Sequence, residues 1–165
     1  MKPYRILATT AAIAALALTA GLPAHAADGH SHGAPADAHA AAPHALTLNQ
    51  GKRWVTDVPL RRHMGDIRAL VSDKLESIHG GKLSPADYQA LGAAIEGKAG
   101  AIVTDCKLPP EADAMLHLIV ADLLAGADVM QGKAGGDAAE AAHKVVAAVN
   151  NYGTYFDHPG FAPLG

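Results

Sequence analysis

The sequence contains very little cysteine and few aromatic residues. Cys106 is the single cysteine among 165 residues, and aromatic side chains make up 4% of the chain. A lone cysteine cannot form a disulfide within its own chain, so it must be buried and inert, bound to a ligand, or paired with another molecule. The disulfide-stapled class of small secreted domain is therefore excluded.

Basic clusters, strand-like alternation and catalytic signatures are also missing. The formal net charge is −3 and no segment is rich in Lys and Arg, which argues against nucleic acid and anionic membrane as partners. We expect the protein not to be an enzyme, because the sequence has no Ser-His-Asp order, phosphate-binding loop or paired-carboxylate signature. The lack of alternation predicts an all-α fold.

The one long apolar run occupies residues 6 to 22, after a positively charged start, and small residues follow it up to Ala26. This pattern predicts that residues 1 to 26 are a signal peptide, cleaved after Ala26 or one residue later, after Ala27. Losing its two basic residues takes the formal charge from −3 to −5. We therefore expect an exported protein of the bacterial periplasm, with no membrane association after cleavage.

Residues 27 to 50 have the composition of a disordered, His-rich leader, because Ala, Gly, Pro and His dominate the segment without apolar periodicity. His30 and His32, with two further histidines, would make a weak metal tether, and a plain linker is the alternative. Cleavage after Ala27 would place His30 third from a free amine. That arrangement binds Cu(II) or Ni(II) through nitrogens in a square plane.

Residues 51 to 165 read as one domain of four amphipathic helices, because apolar residues recur there at three- and four-residue steps. Asp57, Ser84 and Asp137 are the predicted N-caps. The predicted helices cover residues 58 to 78, 85 to 106, 111 to 130, and a fourth that follows Asp137 and has Phe156 on its inner face. The short connections predict an antiparallel up-and-down four-helix bundle with an irregular C-terminal tail.

This topology would bring five residues with metal-binding chemistry to one end of the bundle. They are Met64, Cys106, Asp113, His117 and His158. A thioether, a thiol and an imidazole suit a soft ion such as Cu(I), and Asp113 lies one helical turn from His117, where it could orient the imidazole. Each residue also has a plain structural explanation, because Met64 and Cys106 fit core stripes and His117 fits the edge of an apolar face.

Three other histidines fall off the apolar stripes of their helices, namely His63, His79 and His143. We expect all three to be exposed to solvent, as polar residues on the outer face of a bundle helix usually are. They are not part of the predicted metal site.

The layout of residues 55 to 158 resembles the cytochrome b562 and cytochrome c′ class of periplasmic four-helix bundles. That resemblance implies a haem b electron carrier in which Met64 matches the methionine ligand and His158 or His117 supplies the second ligand. The sequence departs from the family late in the fourth helix, where it has no histidine, and it has no Cys-x-x-Cys-His motif. Parts of residues 106 to 117 and 155 to 159 are also similar to an uncharacterised group of exported proteobacterial proteins.

Three functions follow as hypotheses. The leading hypothesis is an exported module that binds a metal ion, with copper preferred, and buffers or delivers it. Its partner would be the metal ion itself or a periplasmic protein. A haem b carrier is the second. The third is a metal-free interaction or stress protein that docks a partner with one end of the bundle. Homodimer formation is left open.

Overall fold

The computed structural model describes residues 45 to 165. The predicted signal peptide and most of the leader, including His30 and His32, lie outside the described residues. Within them, four helices pack against one another without forming a sheet, which confirms the all-α four-helix fold. The helices are α1 Val58–His79, α2 Pro85–Asp105, α3 Pro110–Met130 and α4 Ala138–Tyr155.

Three of the helices begin where a side chain satisfies their first free N–H groups. The N–H of Leu60 donates to Asp57 Oδ1 at 2.8 Å at the start of α1, and the N–H of Glu140 donates to Asp137 Oδ1 at 2.8 Å at the start of α4. Ser84 begins α2 with a reciprocal capping box. These are the three predicted caps. Because a cap is a contact between residues close in the sequence, the helix starts could be predicted to within one residue.

One apolar face of each helix forms a single core. The residues of the predicted stripes are buried with three exceptions, Leu75, Cys106 and Ala138, which are only partly buried. The largest fully buried side chains are Tyr152, Phe156, Leu60, Met64, Ile67, Ile78, Ile95, Ile102, Ile119 and Leu123. None of the described helices is both long enough and apolar enough to cross a membrane.

Contacts between helices pair the beginning of one with the end of the next. Asp66 in the first half of α1 accepts a hydrogen bond from Lys98 in the second half of α2 at 2.7 Å. Gly92 in α2 lies against the backbone of Ala127 near the end of α3. Gly126 of α3 packs on Val145 in the first half of α4. Consecutive helices therefore run in opposite directions, which brings the start of α3 next to the end of α2.

The segments before α1 and after α4 are joined by main-chain hydrogen bonds. The N–H of Trp54 donates to the carbonyl of Tyr155 and the N–H of Asp157 donates to the carbonyl of Trp54, each at 2.8 Å. The two bonds form a parallel bridge between Trp54 and Phe156. The Trp54 side chain is also held by the segment that precedes it, because its indole N–H donates to the carbonyl of Thr47 at 2.6 Å. The segment before α1 and the segment after α4 are thus held together beside the start of α1.

Candidate functional site

A cleft of about 290 Å³ lies between the end of α2 and the first half of α3. Cys106, Asp113 and His117 line it. Its apolar wall is formed by Ile102, Val103, Leu108, Leu116 and Val120. Three of the five helical-domain residues predicted for the metal site therefore share one cleft, because the break at Pro109 and Pro110 turns the chain back after α2.

Cys106 stands at the C-terminal boundary of α2, in an extended backbone conformation. Burial, followed by the nearby carboxylates of Asp57, Asp105 and Asp113, raises the pKa of the Cys106 thiol to about 11. The thiol therefore keeps its proton at neutral pH and is a weak nucleophile. The same carboxylates would favour a cation at the sulfur, so the surroundings suit an ion better than a free thiolate.

His117 is held in one tautomer by the turn that precedes it. Its Nδ1 lies 2.9 Å from the carbonyl oxygen of Asp113 and 3.4 Å from the Asp113 carboxylate. A carbonyl oxygen only accepts hydrogen bonds, so Nδ1 carries the proton and donates it. In the neutral ring the lone pair is then on Nε2, which is the state of a metal-binding imidazole whose other nitrogen is oriented by the protein. The side chain is 64% exposed.

The remaining two predicted residues of the helical domain are held elsewhere. Met64 is fully buried in the core. His158 lines a different cleft, together with Arg61 and Asp157. The hydroxyl of Tyr152 forms a hydrogen bond with His158 Nδ1 at 3.0 Å, and burial, with a contribution from Arg61, lowers the pKa of His158. The structure does not bring Met64 or His158 into the cleft that contains Cys106.

The expectation that His63 is solvated was wrong. His63 is only 4% exposed, and its Nε2 lies 2.9 Å from the carboxylate of Asp105 at the end of α2. A carboxylate accepts, so Nε2 carries the proton, and the buried Nδ1 has no hydrogen-bond partner among the described residues. The three- and four-residue steps from Leu60 to His63 to Ile67 were a usable signal, because they place His63 at the flank of the core stripe.

A wider groove of about 640 Å³ runs between α1 and α2. Leu70, Leu91 and alanines line its floor, and an ion pair closes one end, with Lys98 Nζ 2.7 Å from Asp66 Oδ2. The groove has an apolar floor and a charged rim. This composition suits contact with another polypeptide better than it suits a metal ion.

The protein is thus a four-helix bundle with a thiol and an imidazole in one cleft near one end. Among residues 45 to 165, no three His, Cys, Asp or Glu side chains are grouped so that they could hold one metal ion. The cleft as it stands therefore offers fewer than three ligands of these types. No protein-family model, curated protein or solved structure matches the chain.

Proposed function

We propose that the protein is an exported metal-binding module that buffers or delivers copper, and that it binds Cu(I) in the cleft between α2 and α3. The observation that carries the proposal is the position of Cys106 and His117 on one cleft. A thiolate and an imidazole together form a donor set that Cu(I) binds well. Asp113 supports the pair by orienting His117 and by adding negative charge beside the sulfur.

Copper binding in this cleft exchanges a proton for the metal. Because the pKa of Cys106 is raised to about 11, the sulfur is protonated in the metal-free protein at neutral pH. The ion must displace that proton to gain a thiolate ligand. The carboxylates that disfavour the bare thiolate favour the metal complex, because the positive ion offsets the charge that made ionisation costly.

The small number of ligands in the cleft favours delivery over storage. Cu(I) is stable at low coordination numbers, so a thiolate and an imidazole suffice to hold it. His117 is largely exposed, which leaves the metal accessible to a ligand of a second protein. The leader histidines His30 and His32 are additional candidates for collecting metal, and their contribution is a separate prediction.

The two other hypotheses gain less support. Met64 is fully buried in the core, whereas His158 lines a separate cleft beside Arg61 and Asp157, so the two side chains share no space in which both would bind one haem without rearrangement. The groove between α1 and α2 favours the interaction hypothesis as the second candidate. If the cleft binds no copper, the groove makes the interaction hypothesis the better supported of the remaining two.

Competition with a chromophoric Cu(I) chelator tests the proposal. The Cys106→Ser change should weaken Cu(I) binding strongly, because a hydroxyl is a poor ligand for a soft ion. His117→Ala should weaken it as well. Met64→Leu is the matched control, since it changes a sulfur donor that lies in the core and should leave the affinity unchanged.

Alkylation of the thiol gives an independent readout. Cys106 in the folded, metal-free protein should react slowly with a maleimide at pH 8.5, and one equivalent of Cu(I) should suppress that reaction. If Cys106→Ser binds Cu(I) as tightly as the unmodified protein and added copper leaves the alkylation rate unchanged, the cleft is not a copper site.

A further inference from the structure

Two histidines from different helices lie side by side near the end of α1. His79 is the last residue of α1, and His143 lies in the second turn of α4. Their ring centroids are 5.6 Å apart and the ring planes differ by 3°. Both residues are exposed. The fold therefore juxtaposes two exposed imidazoles that are far apart in the sequence.

We propose that His79 and His143 form a surface site for a divalent transition-metal ion, which each imidazole binds through one nitrogen while water fills the other positions. Imidazole is a good ligand for Cu²⁺, Ni²⁺ and Zn²⁺. Two imidazoles bound to one tetrahedral ion with metal–nitrogen distances of about 2.0 Å have ring centres about 5 Å apart. The observed separation is close to that value.

The side chains need only a local adjustment to reach the bound arrangement. Nearly parallel rings must turn about their Cβ–Cγ bonds before both nitrogens point at one ion. Torsions of this type have broad energy wells. Because both side chains are exposed, the rings turn in solvent and the backbone positions of α1 and α4 stay as they are.

This site is separate from the copper cleft in place and in chemistry. It lies where α1 ends and α4 begins, whereas the cleft lies where α2 ends and α3 begins. It offers two imidazoles and no thiolate, so it favours borderline divalent ions over Cu(I). A bound ion would also connect α1 to α4 and would stabilise the folded chain, because the two ligands meet only in that state.

Paramagnetic broadening of the histidine Cε1–H signals by Cu²⁺ tests the site in the whole protein. The signals of His79 and His143 should broaden together at substoichiometric Cu²⁺. His79→Ala should leave the His143 signal sharp at the same Cu²⁺ concentration, and His143→Ala should do the same for His79. Loss of either ligand should weaken binding at this site about tenfold or more, because the second imidazole acts at a high effective concentration.

Lys144→Ala is the matched control, since it removes an exposed side chain next to His143 that carries no imidazole, and it should leave the broadening of both signals unchanged. His79→Gln is a second variant with similar size and no imidazole, and it should behave like His79→Ala. The proposal is overturned if His143 broadens equally in both His79 variants. It is also overturned if neither signal broadens at a Cu²⁺ concentration that broadens the other exposed histidines. Cu(I) affinity in Cys106→Ser reports on the cleft alone, so failure of one site is distinguishable from failure of the other.

Discussion

At the scale of single residues, the proposed copper site should depend on pH through the protonation of Cys106. The pKa of the thiol is raised to about 11 by burial and neighbouring carboxylates. If Cu(I) replaces this one proton, the apparent affinity should rise about tenfold for each pH unit between pH 7.5 and 9.5. Chelator competition across that range measures the slope. An affinity that stays constant over the range would mean that the thiol is not a ligand.

The same pKa shift affects the stability of the metal-free fold. The folded chain holds the Cys106 proton more tightly than the unfolded chain, in which the pKa is about 9. The stabilisation is therefore complete below pH 9 and is lost as the pH rises through 11. Ionisation of Cys106 thus acts against the fold at alkaline pH, in the same range where the proposed site should bind copper more tightly.

Sequence patterns predicted some residue environments and missed others for a definite reason. Met64 was expected to fit a core stripe, and it is fully buried. His63 was expected on the surface because it falls off the apolar stripe of its helix, yet it is buried against Asp105, which is 42 positions away. Helical periodicity describes neighbours on one helix, whereas a cross-helix hydrogen bond depends on how two helices pack. The burial of His63 was missed because its partner lies on α2 and not on its own helix.

At the scale of the helices, some glycines lie where two helices are in contact, and others have only open space beside them. A Cβ atom at Gly92 would lie 2.8 Å from the carbonyl oxygen of Ala127 and 3.2 Å from Met130 Cβ. A Cβ at Gly97, in the same helix, would meet nothing within 4 Å. Gly92 therefore permits the close approach of α2 and α3, and Gly97 only weakens its helix.

Alanine substitutions at these two glycines should have opposite effects on stability. Gly92→Ala should lower the free energy of unfolding by about 1–3 kcal/mol, because α2 and α3 must separate slightly. Gly97→Ala should raise it by about 0.5–1 kcal/mol, since alanine is the better helix former and the site is open. Urea unfolding at constant m-value measures both changes. If Gly92→Ala leaves the midpoint unchanged or raises it, Gly92 does not set the helix separation.

The helices were the most predictable part of the molecule. Asp57, Ser84 and Asp137 cap three of them through contacts with residues three positions away, so these capping signals are complete in the sequence. The bridge between Trp54 and Phe156 was not predicted, because a single pair of main-chain bonds leaves no periodic pattern. The predicted topology was enough to expect Cys106 and His117 at the same place in the bundle. The number of side chains in the cleft that could bind one ion was not predictable, because it depends on side-chain geometry, which the spacing of apolar residues does not describe.

At the scale of the whole molecule, the His-rich part of the leader, up to residue 45, should behave independently of the bundle. This part of the leader is predicted to be disordered, so deleting residues 28 to 45 should leave the helical content and the melting temperature nearly unchanged. The same deletion should reduce the number of weakly bound Cu²⁺ or Zn²⁺ ions, because four histidines are lost with it. Circular dichroism and metal titration measure the two effects. An unchanged number of bound ions would show that the leader is only a linker.

The bridge between Trp54 and Phe156 gives the bundle a particular response to mechanical load. The two segments run in the same direction, one entering the bundle and the other leaving it. A force applied to the two ends of the chain therefore pulls the segments in opposite directions along their length. Both main-chain hydrogen bonds at Trp54 should therefore carry that load together, in shear, once the bonds of the C-terminal tail to Arg68 of α1 and Asn150 of α4 have broken.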